Sequence, residues 1–185
     1  YYCRDCKQQM GVMIESPDAK ITYIPFGENS LAEAVNTAEN DSKLTLLADV
    51  DFNAVLDQKT LTLDFNNKSV TGGWFEIGKL TWDSNYNVTD VTAGAKLILT
   101  GHSAKEDYNS SNVTERGLIN VYNNNTLVMD GWSGTLGGIN ASRYFNADKP
   151  TIQIDNGTFC SVSLQNGTGY TLGDFLKTGY AFKYT

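Results

Sequence analysis

The chain has 185 residues, enough for one domain with a real core and short for two. Its formal net charge of −7 leaves no basic surface for phosphate, which argues against nucleic acid and against an anionic membrane surface. No apolar run approaches the ~20 residues of a membrane span, so no membrane insertion is expected.

Val, Ile, Thr, Tyr and Phe are common, Pro is scarce, and Asn and Gly stand out, a composition that favours strands and turns over helices. The abrupt opening at Tyr1-Tyr2-Cys3 reads as the start of a piece cut from a larger, processed protein. Residues 1–19 have no clear periodicity and read as an irregular lead-in holding a C-x-x-C, Cys3 and Cys6. Residues 20–185 read as one domain. Lys20-Ile21-Thr22-Tyr23-Ile24 alternates as a short strand does. Ser30 to Asn40 reads as a helix, with Asn29 or Ser30 able to cap it and Leu31, Ala34, Val35 and Ala38 on one face.

Short apolar strands then recur: Leu44–Leu47, Leu61–Asp64, Leu80–Trp82, Leu97–Leu99 and Leu118–Val121, with starts 17, 19, 17 and 21 residues apart. Leu127–Met129, Ile152–Ile154 and Val162–Leu164 follow, and Asp, Asn or Gly closes each. An antiparallel sandwich would place strands every 8–12 residues. The longer spacing predicts instead an all-β, right-handed parallel β-helix, in which each strand stacks on its equivalent one coil below. Asn and Asp at the corners suit the left-handed backbone of sharp turns. The Ser30–Asn40 helix and the Tyr170–Lys177 segment, read as a short amphipathic helix, would cap the two ends.

Three segments carry a family resemblance: Ser30-Leu31-Ala32-Glu33-Ala34-Val35 with Leu44–Val50, then Leu61-Thr62-Leu63-Asp64-Phe65-Asn66-Asn67-Lys68-Ser69-Val70, then Leu172–Phe182. Together they resemble the pectate-lyase-like β-helix modules of Gram-positive cell-surface proteins. The resemblance implies an extracellular, adhesin-like module on the bacterial surface, a monomeric part of a larger surface protein with a role in colonisation. It does not supply an active site. Phe65-Asn66-Asn67 departs from the family's Leu-Asn-Gly, and Trp74 to Tyr108 is long and individual.

An enzyme of this shape, a polysaccharide lyase or glycoside hydrolase, would need clustered carboxylates, and the candidates are Asp49, Asp51 and Asp64, with Asp83 and Asp90 further along. Asp closing a strand is also ordinary turn chemistry. His102, the lone histidine, reads as a loop residue. Cys3 and Cys6 form half a zinc site or a local disulfide, either could pair with Cys160, and calcium is a second metal to consider. Cys160 itself reads as a buried core residue. Exposed aromatics suit sugars and protein contacts, and Trp74, Trp82, Tyr86, Tyr108, Trp132 and Tyr144 are the ligand-binding candidates. The N-x-S/T triplets, from Asn40 to Asn166, would be glycan sites in a eukaryotic secreted protein, and the resemblance implies instead that they are by-products of Asn/Thr-rich coils. The leading expectation is a non-enzymatic surface module that binds a host glycan or host protein. The alternatives are a carbohydrate-active enzyme with an acidic cleft and a passive stalk.

Overall fold

Val12 and Ile14 bury one face of a strand that the sequence pattern hides. The computed structural model describes residues 1–2, 7–104, 117–145, 147–165, 171–181 and 183. Within them, β1 (Met10–Glu15) and β2 (Ile21–Pro25) form an antiparallel hairpin across the turn at Ser16–Lys20. The lead-in is therefore not irregular throughout. Met10-Gly11-Val12-Met13-Ile14 has no polar residue on its outward face, so the period-2 signal is absent although the strand is present.

Helix α1 (Ser30–Thr37) ends before Asn40 and buries Leu31, Ala34 and Val35 against β1 and β2. Asn29 stands at its N-cap position but makes no side-chain cap. The Ser30 hydroxyl instead accepts the Gly27 N–H at 2.7 Å and donates to the Pro25 carbonyl at 2.8 Å, which pins the approach to the helix.

The remaining strands are β3 (Ser42–Leu46), β4 (Val50–Asp51), β5 (Ala54–Leu56), β6 (Thr60–Asp64), β7 (Val70–Thr71), β8 (Trp74–Ile77), β9 (Leu80–Trp82) and β10 (Val88–Val91). After them come β11 (Lys96–Thr100), β12 (Leu118–Val121), β13 (Thr126–Met129), β14 (Thr135–Ser142), β15 (Thr151–Gln153) and β16 (Thr158–Gln165). The described strands divide among four separate sheets. One has seven strands in the order β15-β13-β11-β6-β3-β1-β2, one has five in the order β16-β14-β12-β8-β5, and two are the pairs β4-β7 and β9-β10.

This arrangement corrects the expected right-handed parallel β-helix. Among the described residues the fold is mostly β, 48% strand against 7% helix, but its sheets are separate, none closes, and the largest mixes parallel and antiparallel pairing. Tight turns are the physical reason, because a short hairpin connection can only return the chain antiparallel. The Ser16–Lys20 turn makes β2 run against β1, and β1 in turn runs against β3. Leu80-Thr81-Trp82, read as one of the stacked strands, pairs with β10 in a hairpin of its own.

From β3 to β15 in the seven-stranded sheet, and throughout the five-stranded one, pairing is parallel. Leu61 lies opposite Leu97, Leu97 opposite Leu127 and Leu127 opposite Ile152. Inward residues of the five-stranded sheet, among them Phe75, Ile77, Ile119, Val121 and Ile139, join the same apolar core. Phe52, Phe65 and Trp132 complete it, all three fully buried. Asp41, Asn66, Asn67 and Asn124 hold φ of 62°, 47°, 56° and 53°, the left-handed turn backbone that short polar side chains tolerate.

The C-terminal segment is a four-residue 3-10 helix, Leu172–Phe175, rather than an amphipathic α-helix, and Tyr170 lies outside the described residues. Thr171 and Asp174 form its capping box. Phe175 is fully buried, and its carbonyl accepts the Ile154 N–H at 2.7 Å. Lys177 then donates its N–H to the Ile154 carbonyl at 3.0 Å and its ammonium to Asp155 at 2.9 Å. Residues 175–177 thus lie along the outer edge of the seven-stranded sheet.

Candidate functional site

Alternation along β8 turns Phe75 and Ile77 into the core and leaves Trp74 and Glu76 on the outer face of the five-stranded sheet. Trp74 is 57% exposed although its strand lies between two others. Its backbone is fixed by the neighbouring strand's approach, where the Asn53 side-chain oxygen Oδ1 accepts the Trp74 N–H at 3.2 Å. That contact needs glycine before the tryptophan. Gly73 has φ +78°, and a Cβ there would lie 2.3 Å from Asn53 Oδ1.

Register carries the outer face across the sheet. Trp74 stands opposite Leu118, and Leu118 opposite Gly138. One row further on, Glu76 stands opposite Asn120, Asn120 opposite Asn140, and Asn140 opposite Ser163. The second row is a directed chain of hydrogen bonds. Ser163 Oγ donates to Asn140 Oδ1, and Asn140 Nδ2 donates to Asn120 Oδ1 at 3.0 Å. At the far end, Tyr122 Oη donates to Glu76 Oε1 at 3.2 Å. The Tyr122 ring meets Tyr144 edge-on at 6.2 Å, and Tyr144 meets Phe145 at 6.1 Å. Phe145 is 62% exposed with φ 57°, a backbone conformation that bulky residues rarely adopt.

Burial pushes the Glu76 carboxyl above its ordinary value of 4.5, and the Tyr122 hydroxyl opposes the shift. Burial, together with the Glu76 charge, pushes the Tyr122 phenol up as well. A raised carboxyl pKa means that the folded chain binds this proton more tightly than the unfolded chain does, so charged Glu76 weakens the fold above the raised pKa. Replacing Glu76 by Gln is therefore expected to raise the melting temperature at neutral pH. The gain should vanish as the pH falls below the ordinary glutamate range, and melting curves of both proteins from about pH 8 down to about pH 4 would show it.

The other expected site residues are scattered. Trp132, expected as a presented ring, is fully buried and packs edge-on against Phe65 at 5.6 Å. Trp82 and Tyr86, 53% and 87% exposed, sit on the β9–β10 hairpin. Its turn is built on Asp83, whose Oδ1 accepts the N–H of Asn85 at 2.8 Å and of Asn87 at 2.9 Å. The Asn87 backbone N–H is the main cause of the lowered Asp83 pKa. Tyr108, Cys3 and Cys6 lie outside the described residues.

The three candidate catalytic acids each hold a different piece of backbone or side chain. Asp49 accepts the Ser69 N–H at 2.8 Å, Asp51 accepts the Thr71 hydroxyl at 2.9 Å, and Asp64 accepts the Asn66 N–H at 2.9 Å while pairing with Lys43 at 2.8 Å. Among the described residues, no three His, Cys, Asp or Glu side chains gather as metal ligands would. The groove beside the chain end is lined by Thr151, Gln153, Asp174, Lys177 and Thr178, and none of the three acids reaches it. His102 Nδ1 lies 2.8 Å from Ser133 Oγ, a contact between neighbours on paired backbone segments.

Sequence reasoning named Trp74 and Tyr144 but missed Glu76, Asn120, Asn140 and Ser163. An outward polar residue between two inward apolar ones was their signal, present in Phe75-Glu76-Ile77 and Ile119-Asn120-Val121. Among the described residues, no helix is long and apolar enough to cross a membrane. No family model matches the chain, and no solved structure matches it.

Proposed function

We propose that this chain is a non-enzymatic binding module of a bacterial surface protein, and that it recognises a host glycan on the outer face of its five-stranded sheet. The observation that carries the reading is Trp74. A tryptophan left 57% exposed on an inner strand gives up burial free energy, of the order of 1.5–3 kcal/mol for a large apolar side chain, unless a ligand covers it. One row further along the same face lie amides, a hydroxyl and a carboxyl fixed by hydrogen bonds to Tyr122 and among themselves. An apolar ring beside a fixed polar row suits a ligand with one C–H face and a rim of hydroxyls.

The enzyme alternative finds no support in the separate partners of Asp49, Asp51 and Asp64. The test is binding to an immobilised glycan array by the wild-type chain and by Trp74→Ala. Wild type should bind, and the variant should lose about tenfold or more in affinity, as removal of a central aromatic anchor does. Equal binding by the two proteins would reject the assignment of this face.

A further inference from the structure

The polar row on that face ends in an unmatched pair. Glu76 Oε1 takes the Tyr122 hydroxyl, while Oε2 has no partner among the described residues. Asn120 Oδ1 takes the Asn140 amide, while Asn120 Nδ2 has no partner among the described residues. Glu76 and Asn120 face each other across β8 and β12, on rungs ~4.8 Å apart. Trp74 lies two residues back along the strand on the same face, ~7 Å away.

We infer that Glu76 and Asn120 form a diol-reading pair: the site takes a neutral glycan by two adjacent ring hydroxyls, one donating to the free Glu76 oxygen and the other accepting from the Asn120 amide. The inference rests on the glycan reading above and names its chemistry. A hydroxyl can both donate and accept, so a vicinal diol satisfies one free acceptor and one free donor side by side. A carboxylate or sulfate ligand has no proton for Glu76 and meets like charge there, on a chain whose net charge is already −7. An ammonium ligand would pair with Glu76 but leave Asn120 Nδ2 without an acceptor. The Tyr122 hydroxyl and the Asn140 amide hold the two groups in place before a ligand arrives, which lowers the ordering cost of binding. The indole of Trp74 is placed to cover the C–H face of the same sugar unit.

The test uses immobilised mannan, galactan and glucan, each intact or oxidised with periodate and then reduced, with hyaluronan as the acidic probe. Periodate cleaves the carbon–carbon bond between adjacent hydroxyl-bearing carbons to give two aldehydes, and the reduction converts these to hydroxyls that are no longer on adjacent carbons. The expected result is binding to at least one intact neutral polysaccharide and loss of that binding after oxidation. Glu76→Gln and Asn120→Ala should each weaken binding about tenfold, because each alters or removes one of the two half-buried groups that read the diol, and a hydrogen bond of that kind contributes about that much. Glu76→Gln keeps the shape and still accepts from Tyr122, so a folding defect does not stand in for the effect. Equal binding to oxidised polysaccharide, unchanged binding by both variants, or preference for hyaluronan overturns the diol inference and leaves the glycan reading standing if Trp74→Ala loses binding. No binding to any polysaccharide overturns both.

Discussion

Replacing Trp132 by alanine should cost about 3–5 kcal/mol of folding stability, at the upper end for core truncations. The indole is fully buried. It meets Phe65 edge-on at 5.6 Å and stacks on Phe159 at 6.2 Å with 29° between the planes. It also fills the space over Gly157, where a Cβ would lie 2.4 Å from the ring. The hole left behind cannot collapse easily. Ser133, the next residue, is fastened on both sides, its carbonyl to the Ser103 N–H at 2.8 Å and its own N–H to the Gly101 carbonyl at 3.0 Å. Domains of this kind are stable by only about 5–15 kcal/mol, so the loss is a large share of the total. Urea denaturation of wild type and Trp132→Ala measures it. A difference below about 1 kcal/mol would place the ring outside the core and restore it as a candidate for ligand contact.

Asn125→Ala should be nearly as damaging, about 3 kcal/mol or more, for a different reason. This amide is fully buried and serves four backbone groups. Its Oδ1 accepts the Ala95 N–H at 2.8 Å, and its Nδ2 donates to the carbonyls of Asn123, Thr92 and Tyr122 at 2.7, 2.9 and 3.2 Å. Alanine leaves the Ala95 N–H and the Asn123 and Thr92 carbonyls without this partner, while the Tyr122 carbonyl keeps the backbone N–H of residue 125 at 3.2 Å, and each loss costs about 1–3 kcal/mol. Asn125→Asp should be no better, since a carboxylate would point lone pairs or buried charge at three carbonyls. Thr92 stands at the foot of the β9–β10 hairpin, where its hydroxyl accepts the Lys79 N–H at 2.8 Å. Hydrogen exchange should therefore quicken at Ala95 and across residues 79–92 in Asn125→Ala before it does elsewhere. Uniform quickening across the chain would show that the amide does not hold the hairpin in particular.

What the sequence discloses depends on how many faces of a strand are buried. Leu44-Thr45-Leu46, Leu61-Thr62-Leu63 and Leu97-Ile98-Leu99 place apolar residues at every second position inward, and β3, β6 and β11 were readable from that spacing. β14 buries nearly every residue from Thr135 to Ser142 and contains Gly137-Gly138, so it carries neither alternation nor a β-rich composition. β8 begins with two adjacent aromatics, of which Phe75 is buried and Trp74 is not, and composition cannot tell them apart. Gly131 reports on the turn's backbone, φ +67°, and says nothing about where the next side chain points.

Pairing was less legible than the strands themselves. The L-T-L spacing suggested one continuous coil, whereas short turns divert two segments into antiparallel hairpins. The candidate site was hidden for the same reason. Glu76, Asn120, Asn140 and Ser163 are far apart in the sequence and become neighbours only through the registers of β8, β12, β14 and β16.

Those registers also bear on how the molecule acquires its structure. Leu61 finds Leu97, Trp74 finds Leu118, and Leu118 finds Gly138, each across a long stretch of chain. The hairpins β1–β2 and β9–β10, with helix α1, are the local pieces that can form early and by themselves. Everything else must surrender loop entropy before its contacts begin to compensate, which is the signature of a high-contact-order, slowly folding chain. The half-assembled intermediates of such a chain expose apolar strand edges such as those of β6 and β11, so its yield on refolding is governed by the race between in-register pairing within one molecule and edge-to-edge pairing between two.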